Sequence, residues 1–192
     1  MKINSLVVIV LLFMLSSCGG GEESYEYYPK PISGHRIVFP VKEYKAVTPD
    51  CNYSFDIPEY SNLKMDTIKN TCNGNLVLNQ FNATLFLTYI DLDTNLMHNI
   101  EYSRKLAYDH SIKADAIEEK TILNPENGTY GMQYKIVGNS ATNYQFYVTD
   151  SSDHFLRGVL YFNTSPNYDS IKPTLNFLME DFDHMIETID WK

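Results

Sequence analysis

Apolar and polar residues alternate with a period of two along several short segments of the chain. Tyr53, Phe55 and Ile57 alternate with polar neighbours, which is typical of a strand with one buried face. Similar alternation, or a short apolar run bounded by turn residues, recurs at residues 37–39, 75–79, 83–90, 130–136, 144–148 and 155–162. These patterns predict a protein rich in β-strands.

Two longer segments instead place apolar residues every three or four positions, which predicts amphipathic helices. The first covers residues 95–113 and the second covers residues 170–189. Asp181, Asp183 and Glu187 fall towards the end of the second segment, and we interpret them as a solvated acidic face.

The order of these elements predicts the fold class. Strands are followed by a helix, three further strands and a final helix, and the short turns between those three strands require antiparallel pairing. Residues 155–162 are apolar on both faces, so this strand is expected to lie centrally. We therefore predict an α+β fold with a mainly antiparallel sheet flanked by two helices, in a single domain from residue 35 to residue 192.

The first 17 residues have the layout of a bacterial export signal. Lys2 precedes an apolar run at residues 6–15, which is too short to remain as a membrane-spanning helix. Two serines then precede Cys18, a pattern that resembles the lipobox of bacterial lipoproteins. We predict cleavage after residue 17, acylation of Cys18 and a flexible tether at residues 18–34. The alternatives are an ordinary secretory signal or a buried apolar strand.

Charge and composition restrict the class of partner. The chain has 15 basic and 24 acidic residues and a formal net charge of −9, so phosphate backbones repel it and a nucleic-acid partner is excluded. Its content of 44% hydrophobic and 14% aromatic residues argues for a packed domain rather than a disordered chain.

Two cysteines remain once Cys18 carries lipid. A bond between Cys51 and Cys72 would close a loop of about 20 residues and stabilise the fold by roughly 3 kcal/mol. An extracytoplasmic compartment permits such a bond. Two free buried thiols are the alternative, because spacing along the chain does not fix the distance between the two Cα atoms.

One arginine lies within the strand that is expected to be most buried. Arg157 has two interpretations: its apolar stem packs in the sheet while its head reaches water, or it forms a structural or partner-facing ion pair. Asp150 and Asp153, at the preceding turn, are the candidate partners of that pair. Gly158 beside it suggests a bulge or a close approach of another group.

The sequence contains no convincing catalytic or metal-binding constellation. No two of its five histidines have the i, i+4 spacing of a helical metal site. Asp153 and His154 adjoin Ser151 and Ser152, but neighbours in a turn seldom adopt triad geometry. We therefore predict a protein that is not an enzyme and has no cofactor and no bound metal. A pocket lined by some of the 15 tyrosines, binding a small ligand or a glycan, is the alternative function, and an enzyme is a third.

Several segments together resemble the GldD family, the gliding-motility lipoprotein D of Bacteroidota. They are residues 28–37, 83–89, 144–151, 154–162, 166–173 and 187–191. The resemblance implies an accessory or scaffold protein of the gliding-motility and type IX secretion machinery, with envelope proteins as partners and no enzymatic activity. Relatives of this kind also occur in Bacteroidota that do not glide, so secretion is the broader expectation. The layer order also resembles the PsbP/Mog1-like α/β/α sandwich.

Two further expectations concern modification and location. Thr67 and Ser170 each follow an aspartate and precede an isoleucine, which resembles the O-glycosylation sites of Bacteroidota; chance occurrence of so short a pattern is the alternative. Gly19 is not a retention residue for the inner membrane by the enterobacterial rule. We therefore expect a lipid-anchored protein of the outer membrane that faces the periplasm.

Overall fold

The computed structural model describes residues 37–66 and 71–192, and its central feature is a seven-stranded antiparallel sheet. The described residues contain the strands β1 Tyr44–Val47, β2 Tyr53–Pro58, β3 Asn62–Met65, β4 Gly74–Leu78, β5 Ala83–Asp91, β6 Ala116–Asn124, β7 Thr129–Val137, β8 Tyr144–Thr149, β9 His154–Phe162 and β10 Asp190–Trp191. The large sheet has the order β3-β4-β5-β9-β8-β7-β6. The strand predicted to be central, β9, therefore occupies the fourth of seven positions.

Two α-helices accompany the sheets within the described residues, together with a short 3₁₀ helix at Asn79–Phe81. Helix α1 is Leu96–Tyr108 and helix α2 is Tyr168–Glu187. The side chain of Asn167 caps α2 by accepting a hydrogen bond from the backbone N–H of Ser170. Neither helix combines the length and the apolar character that crossing a membrane requires.

The helices pack on opposite faces of the large sheet because alternate residues of each strand point to opposite sides. On one face, Leu156 and Leu160 of β9 belong to the main core together with Leu175, Leu178 and Phe182 of α2. On the other face lies a smaller core cluster, which comprises Ala107 of α1 with Tyr134, Tyr147 and Phe155. This layering confirms the predicted α+β fold with two helices flanking an antiparallel sheet.

A second, three-stranded sheet extends the main core. Its order is β1-β2-β10, and the central strand β2 supplies Tyr53, Phe55 and Ile57 to the core that α2 also lines. A disulfide bond joins Cys51 to Cys72, whose Cα atoms lie 5.8 Å apart. The bond therefore links the residues that precede β2 to those that precede β4 of the large sheet.

Residues 37–43 form an arm that precedes β1, and we call them the N-terminal arm. The strand predicted at residues 37–39 is wrong, because this segment has no strand pairing. The arm packs through a side chain instead: Phe39 stacks on Phe177 of α2, with ring centroids 4.5 Å apart. Its ring also lies 6.1 Å from that of Phe81.

The arm is held to α2 by a buried carboxylate. Asp181 is 0% exposed, and its carboxylate accepts hydrogen bonds from Lys42 Nζ at 2.9 Å, from the Tyr44 hydroxyl at 2.8 Å and from the Tyr60 hydroxyl. Lys42 also forms an ion pair with Glu180 at 3.2 Å. Burial, together with hydrogen bonding to Asp181, raises the pKa of both tyrosines well above its usual value. The interpretation of Asp181 as part of a solvated face is therefore wrong.

Candidate interaction surface

Arg157 lies near the middle of β9, on the face of the large sheet that α1 partly covers. Its cross-strand neighbours are Thr88 on β5 and Tyr147 on β8. The arginine is half-buried, and one of its terminal nitrogens, Nη2, donates a hydrogen bond of 2.9 Å to the Oε1 of Gln145. Gln145 is only 2% exposed. A buried amide therefore holds the guanidinium in place.

The ion pair with Asp150 or Asp153, one of the two interpretations of Arg157, is not formed within the described part of the chain. Asp150 instead accepts backbone N–H groups of the β8–β9 turn, including those of Asp153 at 3.0 Å and His154 at 2.8 Å. Burial alone would raise its pKa, but these hydrogen bonds hold the pKa of Asp150 below its usual value. Four residues of extended strand also separate Arg157 from Asp153, which corresponds to about 13 Å.

The electrostatic environment of Arg157 is set by burial and by tyrosines. Removal from water lowers its pKa, whereas Tyr161 and Tyr102 act in the opposite direction. Among the described residues, no carboxylate forms an ion pair with the guanidinium. An arginine that is only half-buried can keep its charged head in contact with water without a carboxylate partner.

Exposed aromatic side chains lie on the same face of the sheet as this arginine and on the helix that partly covers that face. Tyr161, four residues further along the same face of β9, is 38% exposed, and its ring contacts that of Phe86 edge-on, with centroids 5.6 Å apart. Phe86 on β5 is 43% exposed, and Tyr102 on α1 is 52% exposed. We call the surface formed by Phe86, Tyr102, Arg157 and Tyr161 the Arg157 face.

The sequence indicated only one residue of this face. Arg157 was recognisable because its charge stands inside an apolar strand. Its neighbours on this face depend on the strand register, which the sequence does not reveal. Gln145 and Phe86 belong to other strands, and both occupy segments that look apolar in the sequence. The alternation of β5 could have signalled Phe86, because Leu85 and Leu87 are buried on the opposite face.

The other predicted site residues lie elsewhere on the domain or outside the described residues. Ser170 is exposed in the first turn of α2, while Cys18 and Thr67 fall outside the described residues. The export signal and tether predicted at residues 1–34 also lie outside them. Cys51 and Cys72 are partly buried against the main core, where they form the disulfide bond.

The triad residue types of the β8–β9 turn are not arranged for catalysis. The Nδ1 of His154 lies 2.7 Å from the Tyr89 hydroxyl, and its ring stacks on Trp191 with centroids 5.4 Å apart. Ser152 Oγ donates to Asp150 rather than to a histidine. Within residues 37–66 and 71–192, no group of three potential metal ligands comes together.

Two surface depressions among the described residues are small and lack aromatic walls. One of about 300 Å³ is lined by residues of the α1–β6 connection, the β7–β8 turn and Pro166, and another of about 160 Å³ lies between β6 and α2. No phenylalanine, tyrosine or tryptophan lines either one. They offer no stacking platform of the kind that a glycan-binding pocket would use.

Comparison with solved structures finds a distant likeness. The solution structure of cyanobacterial PsbP (CyanoP) from Synechocystis sp. PCC 6803 aligns with a TM-score of 0.45 and 11% sequence identity, covering 83% of this chain and 98% of that one. No curated protein matches the chain.

Comparison with protein families gives a decisive result. The family described as gliding motility lipoprotein GldD matches residues 24–191, which include all the described strands and helices. The match therefore covers most of the chain and agrees with the resemblance carried by its motifs. The chain belongs to the gliding motility lipoprotein GldD family and is a lipoprotein of the cell envelope.

Proposed function

We propose that this protein is a non-enzymatic scaffold of the gliding-motility and type IX secretion machinery, and that it docks another envelope protein on the Arg157 face. The observation that carries the proposal is the half-buried Arg157, held by Gln145 on a sheet face that also carries exposed aromatic rings. Residues that dominate protein–protein binding energies are enriched in arginine, tyrosine and tryptophan, and they cluster where surrounding contacts exclude water.

The partial cover provided by α1 supports this choice of surface. The helix packs on Tyr134, Tyr147 and Phe155, whereas Phe86 and Tyr161 on the same sheet face stay exposed. Apolar rings on a sheet face gain free energy when another protein removes them from water, at about 25 cal/mol per Å² of buried apolar area. A docked partner would complete the cover on this side of the sheet.

Anchoring through Cys18 is part of the proposal. Residues 1–17 would be removed, residues 18–34 would form the tether, and residues 35–192 would form the folded domain on the periplasmic side of the outer membrane. More than one acyl chain is needed for stable attachment, as expected for a bacterial lipoprotein. Replacing Cys18 by serine should release the protein from the outer-membrane fraction or leave its precursor uncut. Processing and fractionation identical to those of the wild type would refute the anchor.

The docking proposal is tested by site-specific photo-crosslinking in the native cell. A benzophenone amino acid at position 161 should capture an envelope protein of the gliding or secretion apparatus, identified by mass spectrometry. The matched control carries the probe at Leu123, an exposed apolar residue on the sheet-edge strand β6. Capture of the same proteins from both positions, or of none from position 161, would contradict docking on the Arg157 face.

Glycosylation of Thr67 and Ser170 is a further part of the proposal. Ser170 is exposed in the first turn of α2, so an attached glycan would meet no packed side chain there. Intact-mass measurement of the protein purified from its native envelope should show a mass increase that Ser170→Ala and Thr67→Ala together remove. An unmodified mass would refute it.

A further inference from the structure

The guanidinium of Arg157 has capacity for hydrogen bonds that the described part of the chain does not use. An arginine presents five N–H donors in a planar fork, and the structure shows one acceptor, Gln145 Oε1, at 2.9 Å from Nη2. No described carboxylate pairs with it, although the chain carries 24 acidic residues.

We propose that the Arg157 face recognises a carboxylate on the docked protein, so that an aspartate or glutamate side chain of the partner forms an ion pair with Arg157. This inference rests on the docking function proposed above. Carboxylates match the guanidinium fork in shape and can accept two parallel hydrogen bonds from it. The partner is thus a protein with an acidic residue in an otherwise apolar contact.

The surroundings of Arg157 favour a carboxylate carried by a protein over a free anion. The rings of Phe86, Tyr102 and Tyr161 would be covered by apolar groups next to the acidic residue, and a small anion cannot supply such cover. Exclusion of water by these contacts strengthens the ion pair, because an interaction between charges grows as the local dielectric falls. Gln145 holds the guanidinium beforehand, which reduces the entropy lost when the pair forms.

The buried position of Gln145 provides a sharp test. Gln145→Glu places a carboxylate within reach of Arg157 without changing the size of the side chain, so the cation is neutralised inside the protein. Capture of the partner by a benzophenone at position 161 should then fall at least about tenfold, since hydrogen bonds to charged groups contribute about 1.5–3 kcal/mol. Arg157→Gln should reduce capture similarly. Arg104→Gln, which removes an arginine that contacts the Tyr108 ring on α1, serves as the control and should leave capture unchanged.

Folding is checked in the same experiment by the melting temperature of each full-length variant in detergent. Gln145→Glu should retain the wild-type melting temperature, because it replaces one hydrogen bond to Arg157 by an ion pair. If Gln145→Glu fails to fold, Arg157→Gln alone decides the outcome. Reduced capture by a folded variant supports recognition of a carboxylate.

The outcomes separate this inference from the docking proposal. Undiminished capture by folded Gln145→Glu and Arg157→Gln overturns the carboxylate, while docking on this face stands. Absence of capture by the wild type overturns docking itself. As a second arm, a synthetic copy of the captured partner segment should bind the purified protein about tenfold more tightly than the same peptide with its acidic residues changed to amides. Equal binding of the two peptides would also overturn the inference.

Discussion

Replacement of Asp181 by asparagine is the perturbation for which the structure predicts the largest polar effect. The carboxylate is fully buried and accepts from Lys42, Tyr44 and Tyr60. Asparagine keeps one acceptor oxygen, but its amide NH₂ group would face donors where the carboxylate now accepts hydrogen bonds. Removing one partner of a buried ion pair typically costs about 3–5 kcal/mol. Lys42 is 27% exposed and can regain water, so we expect a loss of about 2–3 kcal/mol in unfolding free energy.

The assay is urea denaturation followed by far-ultraviolet circular dichroism. Glu180→Gln is the matched control: this neighbouring carboxylate pairs with the same Lys42 but is 70% exposed, so its loss should change stability by less than about 1 kcal/mol. Lys42→Met in the Asp181→Asn background should cost less than in the wild type, because the pair is already broken. A change below about 0.5 kcal/mol for Asp181→Asn would refute the assignment of this carboxylate as the element that holds the arm.

Three further predictions concern the rest of the fold. Replacing Cys51 and Cys72 by serine should lower the unfolding free energy, measured by urea denaturation, by about 3 kcal/mol. The reason is that the unfolded chain is no longer restricted by a cross-link between residues 21 positions apart. An unchanged denaturation midpoint would count against this. Gly158→Ala should destabilise the protein and lower its melting temperature, because a Cβ atom would stand 2.1 Å from Cε1 of the buried Phe146; a wild-type melting temperature would show that the ring can move. The contribution of the buried tyrosines to stability should be complete below about pH 10 and be lost as the pH rises further, since the folded state retains tyrosine protons that the unfolded state loses. Tyr60→Phe should flatten this decline in urea titrations, and an equally steep decline would contradict it.

Most of the strands that the sequence predicted supply several residues to the buried cores. Strand β8 is buried along its whole length and β9 along most of it, so their apolar runs stood out against the turns around them. Strand β6 was missed, although it has nine residues. It forms an edge of the sheet and is exposed at most positions, including Glu118, Glu119 and Lys120, so no apolar alternation marks it.

The misreading of Asp181 has a specific cause. Leu178, Phe182 and Met185 define the buried side of α2, and Asp181 lies three residues after the first of them, so the helical period itself places it on that side. The charge of its side chain pointed to solvent, whereas its position pointed to the core. The donors that make its burial tolerable come from Lys42 and from tyrosines more than 120 residues away, and local pattern cannot reveal such contacts.

The partner of Arg157 was missed for a related reason. Nearby acidic residues in the turn were the obvious candidates, but an antiparallel hairpin places each residue opposite one that is equally far from the turn. Arg157 therefore lies opposite Tyr147, and Gln145 lies two residues before Tyr147 on β8, further from the turn. Only the register of the strands identifies this glutamine, which sits among the apolar residues of a strand that is buried throughout.

The N-terminal arm would have a mechanical consequence under the proposed anchoring through Cys18. A pulling force between the membrane and the domain enters the described chain at residue 37. It then meets the stacked rings of Phe39 and Phe177 and the ion pair of Lys42 with Asp181 before it reaches β1. The load is thus transferred first to the side of a 20-residue helix rather than to the hydrogen bonds of a strand. Under the proposed anchoring, tension would therefore load the side-chain contacts between the arm and α2 before it reached the strands of the large sheet.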